Sequence, residues 1–239
     1  MRIDGREQKD LRPIRILSGV NPYAEGSVEV SFGTTKVLVT ASIEKAVPPW
    51  MKEGMGGWIT AEYGMLPRST HQRNRREAST GKQGGRTLEI QRLIGRALRA
   101  AVDLKLLEGL TVQLDCDVMV ADGGTRTAAI SGGWVALAHA FAWAEKESLV
   151  TGPLPLRQVA AVSLGVVSGA TLLDLCYEED SQADFDLNLV MNDAQEIIEI
   201  QGTGERASVS QAELGRLLAL GTAGINKIME EQRKVLPNR

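Results

Sequence analysis

The 239-residue chain is long enough for one large domain or two small ones, and its 43% hydrophobic and 24% charged content is ordinary for a globular protein. Its two cysteines, Cys116 and Cys176, both lie in apolar runs, which excludes a disulfide framework and a cysteine metal site and indicates a reducing compartment. The N-terminal residues lack the apolar core of a signal peptide, and no apolar run could span a bilayer, so we expect a cytoplasmic protein without a membrane partner.

The net charge of −3 conceals a strong asymmetry along the chain. A basic block, residues 68–99, contains nine Lys or Arg and two acids, whereas an acidic block, residues 174–199, contains nine acids and no Lys or Arg. Either the two blocks neutralise each other, or the first binds a polyanion and the second binds cations.

The first half begins with strands. Residues 14–17, 27–32 and 36–43 are rich in β-branched residues and predict a short strand followed by a hairpin-like pair. Residues 51–86 show little periodicity and predict a long irregular segment, which is usually functional or mobile. Residues 88–104 predict an amphipathic helix capped by Thr87, with Arg92, Arg96 and Arg99 opposite its apolar stripe and Arg86 just before it.

The centre of the chain predicts a strand, a glycine turn and a helix. Residues 111–120 alternate as a half-buried strand, and residues 128–144 are apolar and alanine-rich, as in a buried helix starting near Thr127. The glycine loop between them (residues 121–124) lets the backbone approach a ligand, and a helix N-terminus offers unpaired N–H groups. With Arg126 beside it, this junction suits phosphate; the alternative is an ordinary Asp-Gly turn with a threonine cap.

The second half repeats the order of strands followed by a helix. Residues 159–167, 171–177, 184–191 and 196–201 predict strands, and residues 211–235 predict a final helix. Strands grouped before helices favour the α+β class. We therefore expect a single domain over residues 1–239, pseudo-duplicated, with halves of roughly 1–150 and 151–239.

The acidic block places Asp180 at or beyond the end of one predicted strand, and Asp184 and Asp186 on one face of the next. Two carboxylates that meet across a turn could bind Mg²⁺, or one could stay protonated through repulsion and act as a general acid. The alternative is a solvated acidic loop.

The arginines between residues 68 and 76 favour a polyanionic partner, because they would otherwise repel one another. Aromatic residues make up only 4% of the chain, so base stacking is not the main binding mode, and contacts to an RNA or DNA backbone fit better. The alternative for Arg96 and Arg99 is that they are ordinary solvent-facing helix residues.

Three runs closely resemble the bacterial ribonuclease PH family. They are GWITAEYGMLPR at 57–68, GGRTLEIQRLIGR at 84–96, and DCDV at 115–118 leading to GGTRT at 123–127. The resemblance extends from the DGR start at 4–6 to QGT at 201–203 and covers nearly the whole chain.

The resemblance implies an α+β fold of duplicated halves, with helices packed on mixed sheets. It implies a phosphorolytic 3′→5′ exoribonuclease that trims tRNA precursors and other RNA 3′ ends, in a reaction reversible as nucleotide addition. The family assembles as a hexamer, a trimer of dimers.

The resemblance also assigns site residues. Inorganic phosphate, the co-substrate, would be bound by Arg86, Gly124, Thr125 and Arg126. Asp180 and Asp186 would bind Mg²⁺ or protonate the leaving 3′ oxygen. RNA would be bound by arginines of the basic block, namely Arg68, Arg73, Arg76, Arg92 and Arg99.

Two departures from the family pattern flank the aspartates: Cys176, where an acid is frequent, and Phe185, where a small polar residue is frequent. Two other functions compete with the phosphorolytic one. A catalytically silent RNA-binding ring subunit would have lost the phosphate-binding arginines or the aspartates, all of which are present. A metal-dependent hydrolytic nuclease would not need a phosphate site.

Overall fold

A five-stranded sheet and a four-stranded sheet form the framework. The computed structural model describes residues 2–52 and 54–237. The first sheet has the order β1-β2-β3-β5-β4, and the second has the order β7-β6-β8-β9. The strands of the first sheet are β1 (Ile14–Ser18), β2 (Gly26–Phe32), β3 (Thr35–Glu44), β4 (Trp58–Met65) and β5 (Thr111–Val120). Those of the second are β6 (Val159–Val167), β7 (Ala170–Leu173), β8 (Phe185–Asn192) and β9 (Ile197–Thr203).

Four α-helices accompany the sheets over the described part of the chain: α1 (Gly85–Arg99), α2 (Thr125–Lys146), the short α3 (Tyr177–Asp180) and α4 (Gln211–Arg233). Helix α2 packs on β2 and β3 of the first sheet and on β6 of the second. It is apolar around most of its circumference because it is covered on both sides. The α+β expectation is confirmed, with the mixed pairing confined to the first sheet.

The prediction of an irregular segment over residues 51–86 was wrong for β4. Ile59, Ala61 and Tyr63 alternate as buried positions, and the strand pairs in parallel with β5. Alanine and glycine within the strand weaken its β-propensity, so the alternation is hard to recognise before its partner is known.

Two further predictions missed where an element begins or ends. Strand β7 ends at Leu173 rather than Tyr177, because Tyr177 opens the turn of helix α3. Helix α1 begins at Gly85 after an N-cap at Gly84, so Thr87 is not its cap; the Thr87 hydroxyl donates to Glu77 Oε1 at 2.7 Å.

None of the helices in residues 2–52 and 54–237 combines the length and apolar character that crossing a bilayer requires.

Two helix glycines offer a matched test of the packing around α2. A Cβ on Gly132 would lie 2.5 Å from Val30 Cγ1 and 3.0 Å from Val30 Cβ, whereas a Cβ on Gly215 of α4 meets nothing within 4 Å. We expect Gly132→Ala to lower the free energy of unfolding by about 1–3 kcal/mol through overpacking. Gly215→Ala should raise it by about 0.5–1 kcal/mol through helix propensity. Denaturant unfolding of both variants measures this; equal effects would contradict the packing described.

Candidate active site

The glycine loop turns β5 directly into helix α2. Gly123 and Gly124 have φ values of 76° and 65°, in the left-handed region, and Gly124 is the N-cap of the helix. The helix therefore starts two residues before the predicted Thr127, since a left-handed glycine completes the turn without a separate cap. Thr125 and Arg126 lie in the first turn, where the backbone N–H groups have no helical partner.

Asp122 fixes the glycine loop to two other parts of the fold. Its backbone N–H donates to Thr35 Oγ1 at 3.0 Å, and its Oδ2 accepts from the Thr34 hydroxyl at 2.5 Å. Its Oδ1 accepts from the backbone N–H of Tyr177, at the start of α3, at 3.1 Å. The loop is therefore anchored both to the β2–β3 turn and to the second half of the chain.

The charges of the phosphate-binding candidates Arg86 and Arg126 both act on one buried phenol. The Tyr63 hydroxyl lies 2.8 Å from Thr125 Oγ1, in the first turn of α2. Burial raises the pKa of Tyr63, and the charges of Arg86 and Arg126 both oppose that rise. Arg86 is exposed and lies within the first turn of α1, not before the helix as predicted.

Arg126 is held by two residues that the sequence did not single out. Its Nη1 donates to Gln201 Oε1 at 3.1 Å and lies 3.5 Å from Glu89 Oε1. Gln201 also donates to Glu89 at 3.3 Å. A glutamine on β9 and a glutamate on α1 thus aim the guanidinium from opposite halves of the chain.

The carboxylates Asp180 and Asp186 lie close enough to these arginines and to each other to interact electrostatically. Desolvation raises the pKa of Asp180, although its side chain keeps access to solvent at the end of α3, and Arg86, Arg126 and Arg12 each oppose the rise. Desolvation also raises the pKa of Asp186, and the negative charges of Asp180 and Glu205 raise it further. Glu205 is a third acidic neighbour that sequence reasoning missed.

The aspartate pair fits a hard cation. Asp186 Oδ1 is buried and accepts no hydrogen bond from the described residues. Mg²⁺ typically takes one or two carboxylates and completes its shell with water and substrate phosphates, so it does not need a larger protein cluster. Within residues 2–52 and 54–237, no three His, Cys, Asp or Glu side chains form such a cluster.

The two departures from the family pattern both pack beside the aspartates. Cys176 is buried, and its backbone N–H donates to Glu179 Oε2 at 3.1 Å. A Cβ on Gly202 would lie 2.9 Å from the Phe185 ring, so the ring packs against the β9 backbone next to Asp186. Cys176 and Phe185 therefore shape the walls of the site without replacing any predicted ligand.

The arginines assigned to RNA differ in their availability. Arg68, Arg73, Arg76 and Arg92 are exposed. Arg99 is half-buried: its Nη1 donates to the Ile59 carbonyl at 2.7 Å, and its guanidinium lies 4.3 Å from the Trp58 ring centroid. Arg96 is exposed, in line with the alternative of a solvent-facing helix residue, and forms a 2.6 Å ion pair with Glu199. The Arg99 guanidinium therefore packs within the protein, whereas the exposed arginines are accessible to a partner.

Comparison with known proteins identifies the family of this chain. Residues 10–142 match domain 1 of the 3′ exoribonuclease family, and residues 157–224 match domain 2. The chain is 53% identical to ribonuclease PH of Maricaulis maris over 236 residues, covering 99% of both chains. It is 54% identical to ribonuclease PH of Caulobacter vibrioides, with the same coverage.

Solved structures share the fold at lower identity. An Archaeoglobus fulgidus exosome with RNA bound to the active site superposes with a TM-score of 0.82 at 24% identity, covering 96% of this chain and 92% of that one. Rice (Oryza sativa) Rrp46 superposes with a TM-score of 0.79 at 22% identity, covering 97% and 98%. With both family domains matched along its length, the chain belongs to the 3′ exoribonuclease family.

Proposed function

We propose that this phosphorolytic 3′ exoribonuclease trims tRNA precursors and other RNA 3′ ends by the attack of inorganic phosphate, which it binds at the glycine loop. The observation that carries the proposal is the contact of the glycine loop, next to Arg126 in the first turn of α2, with the start of α3, the helix that Asp180 ends. The charges of Arg86 and Arg126 both act on Asp180. Cations and free N–H groups on one side suit an anionic nucleophile, and carboxylates on the other suit a cation and a proton donor.

The phosphate seat is composed of two guanidiniums and two backbone positions. Arg86 and Arg126 screen the negative charge of the attacking phosphate, and the backbone of Gly124 and Thr125 supplies the positive end of a helix. The attacking phosphate and the scissile phosphodiester are both anions, so their approach requires this screening.

The reaction exchanges one phosphate linkage for another. An oxygen of inorganic phosphate bonds to the phosphorus of the last nucleotide, the bond from that phosphorus to the preceding 3′ oxygen breaks, and a nucleoside diphosphate leaves. Because the linkages are similar in energy, excess nucleoside diphosphate should drive extension of the RNA instead.

Asp186 is the better candidate to protonate the leaving 3′ oxygen. Its Oδ1 is buried without a hydrogen-bond partner among the described residues. Burial and the charges of Asp180 and Glu205 raise its pKa against one opposing arginine, Arg126, whereas burial and Glu205 raise the pKa of Asp180 against three. A carboxylic acid of raised pKa carries its proton closer to neutral pH. Asp180, with Asp186 once it has given up its proton, would hold Mg²⁺. When bound there, Mg²⁺ supplies neutralisation of charge on the transferred phosphate.

Location and assembly belong to the same proposal. The hexameric trimer of dimers rests on the ribonuclease PH resemblance, and the neighbours named as exosome structures support ring-like assembly. The cytoplasm is the proposed compartment, in agreement with two free cysteines.

Arg126→Ala tests the phosphate seat. The wild type, incubated with a 3′-extended tRNA, Mg²⁺ and phosphate, should release nucleoside diphosphates and release nothing without phosphate. Loss of one charged donor should lower kcat/KM for phosphate by roughly 10²–10³-fold. The exposed Arg216 of α4 provides the control, and Arg216→Ala should match the wild type. Nucleoside monophosphates formed without phosphate would contradict phosphorolysis, and unchanged turnover of Arg126→Ala at low phosphate would contradict the seat.

Asp180→Asn tests the coupling between the two aspartates. Asp180 raises the pKa of Asp186, so its neutralisation should lower that pKa toward the ordinary aspartate range. Carboxyl-carbon NMR titration of Asp186 measures the shift. Glu108→Gln, in a loop remote from the pair, should leave it unchanged. An unaltered Asp186 titration in Asp180→Asn would show that the two groups do not interact.

Replacing Arg68, Arg73 and Arg76 together by Gln tests the RNA-binding role of the loop. KM for tRNA should rise, and the slope of log affinity against log salt should become shallower by about 0.7–0.9 for each RNA phosphate that an arginine no longer neutralises. KM for phosphate should stay near the wild-type value, because these side chains lie outside the seat. A change confined to phosphate KM would assign the loop a different role.

A further inference from the structure

We propose that Arg12 is a positioning residue of the active site, which fastens the glycine loop to the segment that carries Asp180. The inference rests on the proposed function, in which the glycine loop binds the nucleophile and Asp180 belongs to the opposite wall. Arg12 precedes β1 and lies outside every motif that the sequence singled out.

Arg12 forms a buried, two-pronged ion pair with Asp174. Its side chain is 4% exposed and that of Asp174 is 2% exposed. Arg12 Nη2 donates to Asp174 Oδ1 at 2.6 Å, and Nε donates to Oδ2 at 3.0 Å. The Arg12 backbone N–H donates to the same Oδ2 at 2.8 Å, so side chain and backbone fix the carboxylate together.

The remaining donors of the same guanidinium reach the glycine loop. Arg12 Nη1 donates to the carbonyl of Asp122, and Nη2 lies 3.4 Å from the carbonyl of Gly123. A Cβ on Gly124 would lie 3.1 Å from Arg12 Nη2, which places the guanidinium directly beneath the N-cap of α2. One side chain thus contacts the backbone of the loop and a carboxylate from the other half of the chain.

Several contacts hold Asp174 in place, and Asp174 lies just before the helix that carries Asp180. Its backbone has φ of 55°, an unfavourable value for a residue with a side chain, and its N–H donates to the Ser163 carbonyl at 2.7 Å. Its carbonyl accepts from Arg2 at 2.9 Å and from Arg6 at 3.0 Å. It stands two residues before the N-cap of α3, and Asp180 ends that helix.

The glycine loop and the start of α3 are in close contact, so the contacts of Arg12 determine how these two segments are placed relative to each other. A Cβ on Gly123 would lie 2.7 Å from the carbonyl carbon of Cys176 and 2.9 Å from the nitrogen of Tyr177. The charge of Arg12 also reaches Asp180 and opposes the rise of its pKa. A displaced Arg12 guanidinium would therefore alter both the phosphate seat and the distance between the seat and Asp180.

A buried ion pair can also be purely structural, so the test must separate the two roles. Arg12→Lys keeps the charge but cannot hold a carboxylate by two prongs and the loop carbonyls at once. Should Arg12→Lys not fold, Arg12→Gln combined with Asp174→Asn removes both charges, and Arg6, which lies 3.6 Å from Asp174 Oδ2, keeps its 2.6 Å ion pair with Asp4. Arg15→Lys, at an exposed position on β1, is the matched control.

Calorimetric titration with inorganic phosphate, steady-state kinetics on a 3′-extended tRNA and melting temperature decide the outcome. We expect a folded Arg12 variant to bind phosphate about tenfold more weakly and to lose about tenfold in kcat, with KM for tRNA within twofold of wild type. Wild-type phosphate affinity and kcat in a folded variant would overturn the inference. A loss of phosphate affinity, kcat and tRNA binding together, in step with melting temperature, would overturn it too. A wild type that binds no phosphate would instead sink the proposed function.

Discussion

The meeting of two backbone segments from opposite halves of the chain is the constraint on which the site depends. The glycine loop and the start of α3 approach so closely that Gly123 leaves no room for a side chain. Such an approach is stable only if the polar groups on both sides are satisfied, and Asp122, Thr34, Thr35 and Arg12 satisfy them. The glycine loop, as the proposed phosphate seat, and the segment that carries Asp180 therefore meet at one junction.

Charge in this junction is balanced locally rather than across the whole molecule. Arg86, Arg126 and Arg12 act on Asp180, while Glu205 acts on both aspartates. Of the two explanations for the charged blocks, mutual neutralisation holds for Arg96 of the basic block. Arg96 pairs with Glu199, so one turn of α1 is neutralised by the acidic block. The arginines of the 68–76 loop have no ion pair among the described residues, and their binding of a polyanion stays a prediction.

Most elements could be predicted from the sequence because their periodicity is local. The alternation of β5 and the alanine-rich run of α2 define the junction between them before any contact is known. Strand β4 was missed because its order comes from pairing with β5 and not from its own composition. Arg12, Gln201 and Glu205 were missed for a related reason. Each is an ordinary polar residue until the fold brings it to a partner, which is 75 positions away for Gln201 and 162 for Arg12.

The N-terminal segment forms ion pairs with carboxylates that are synthesised much later than the segment itself. Arg2 binds Glu179 across 177 positions, and Arg12 binds Asp174 across 162. When the ribosome has made the glycine loop and α2, neither carboxylate has yet emerged from it. A nascent chain can therefore bury much of its first sheet while its site still lacks one wall. The proposed site would therefore be completed only when synthesis of the chain is nearly finished.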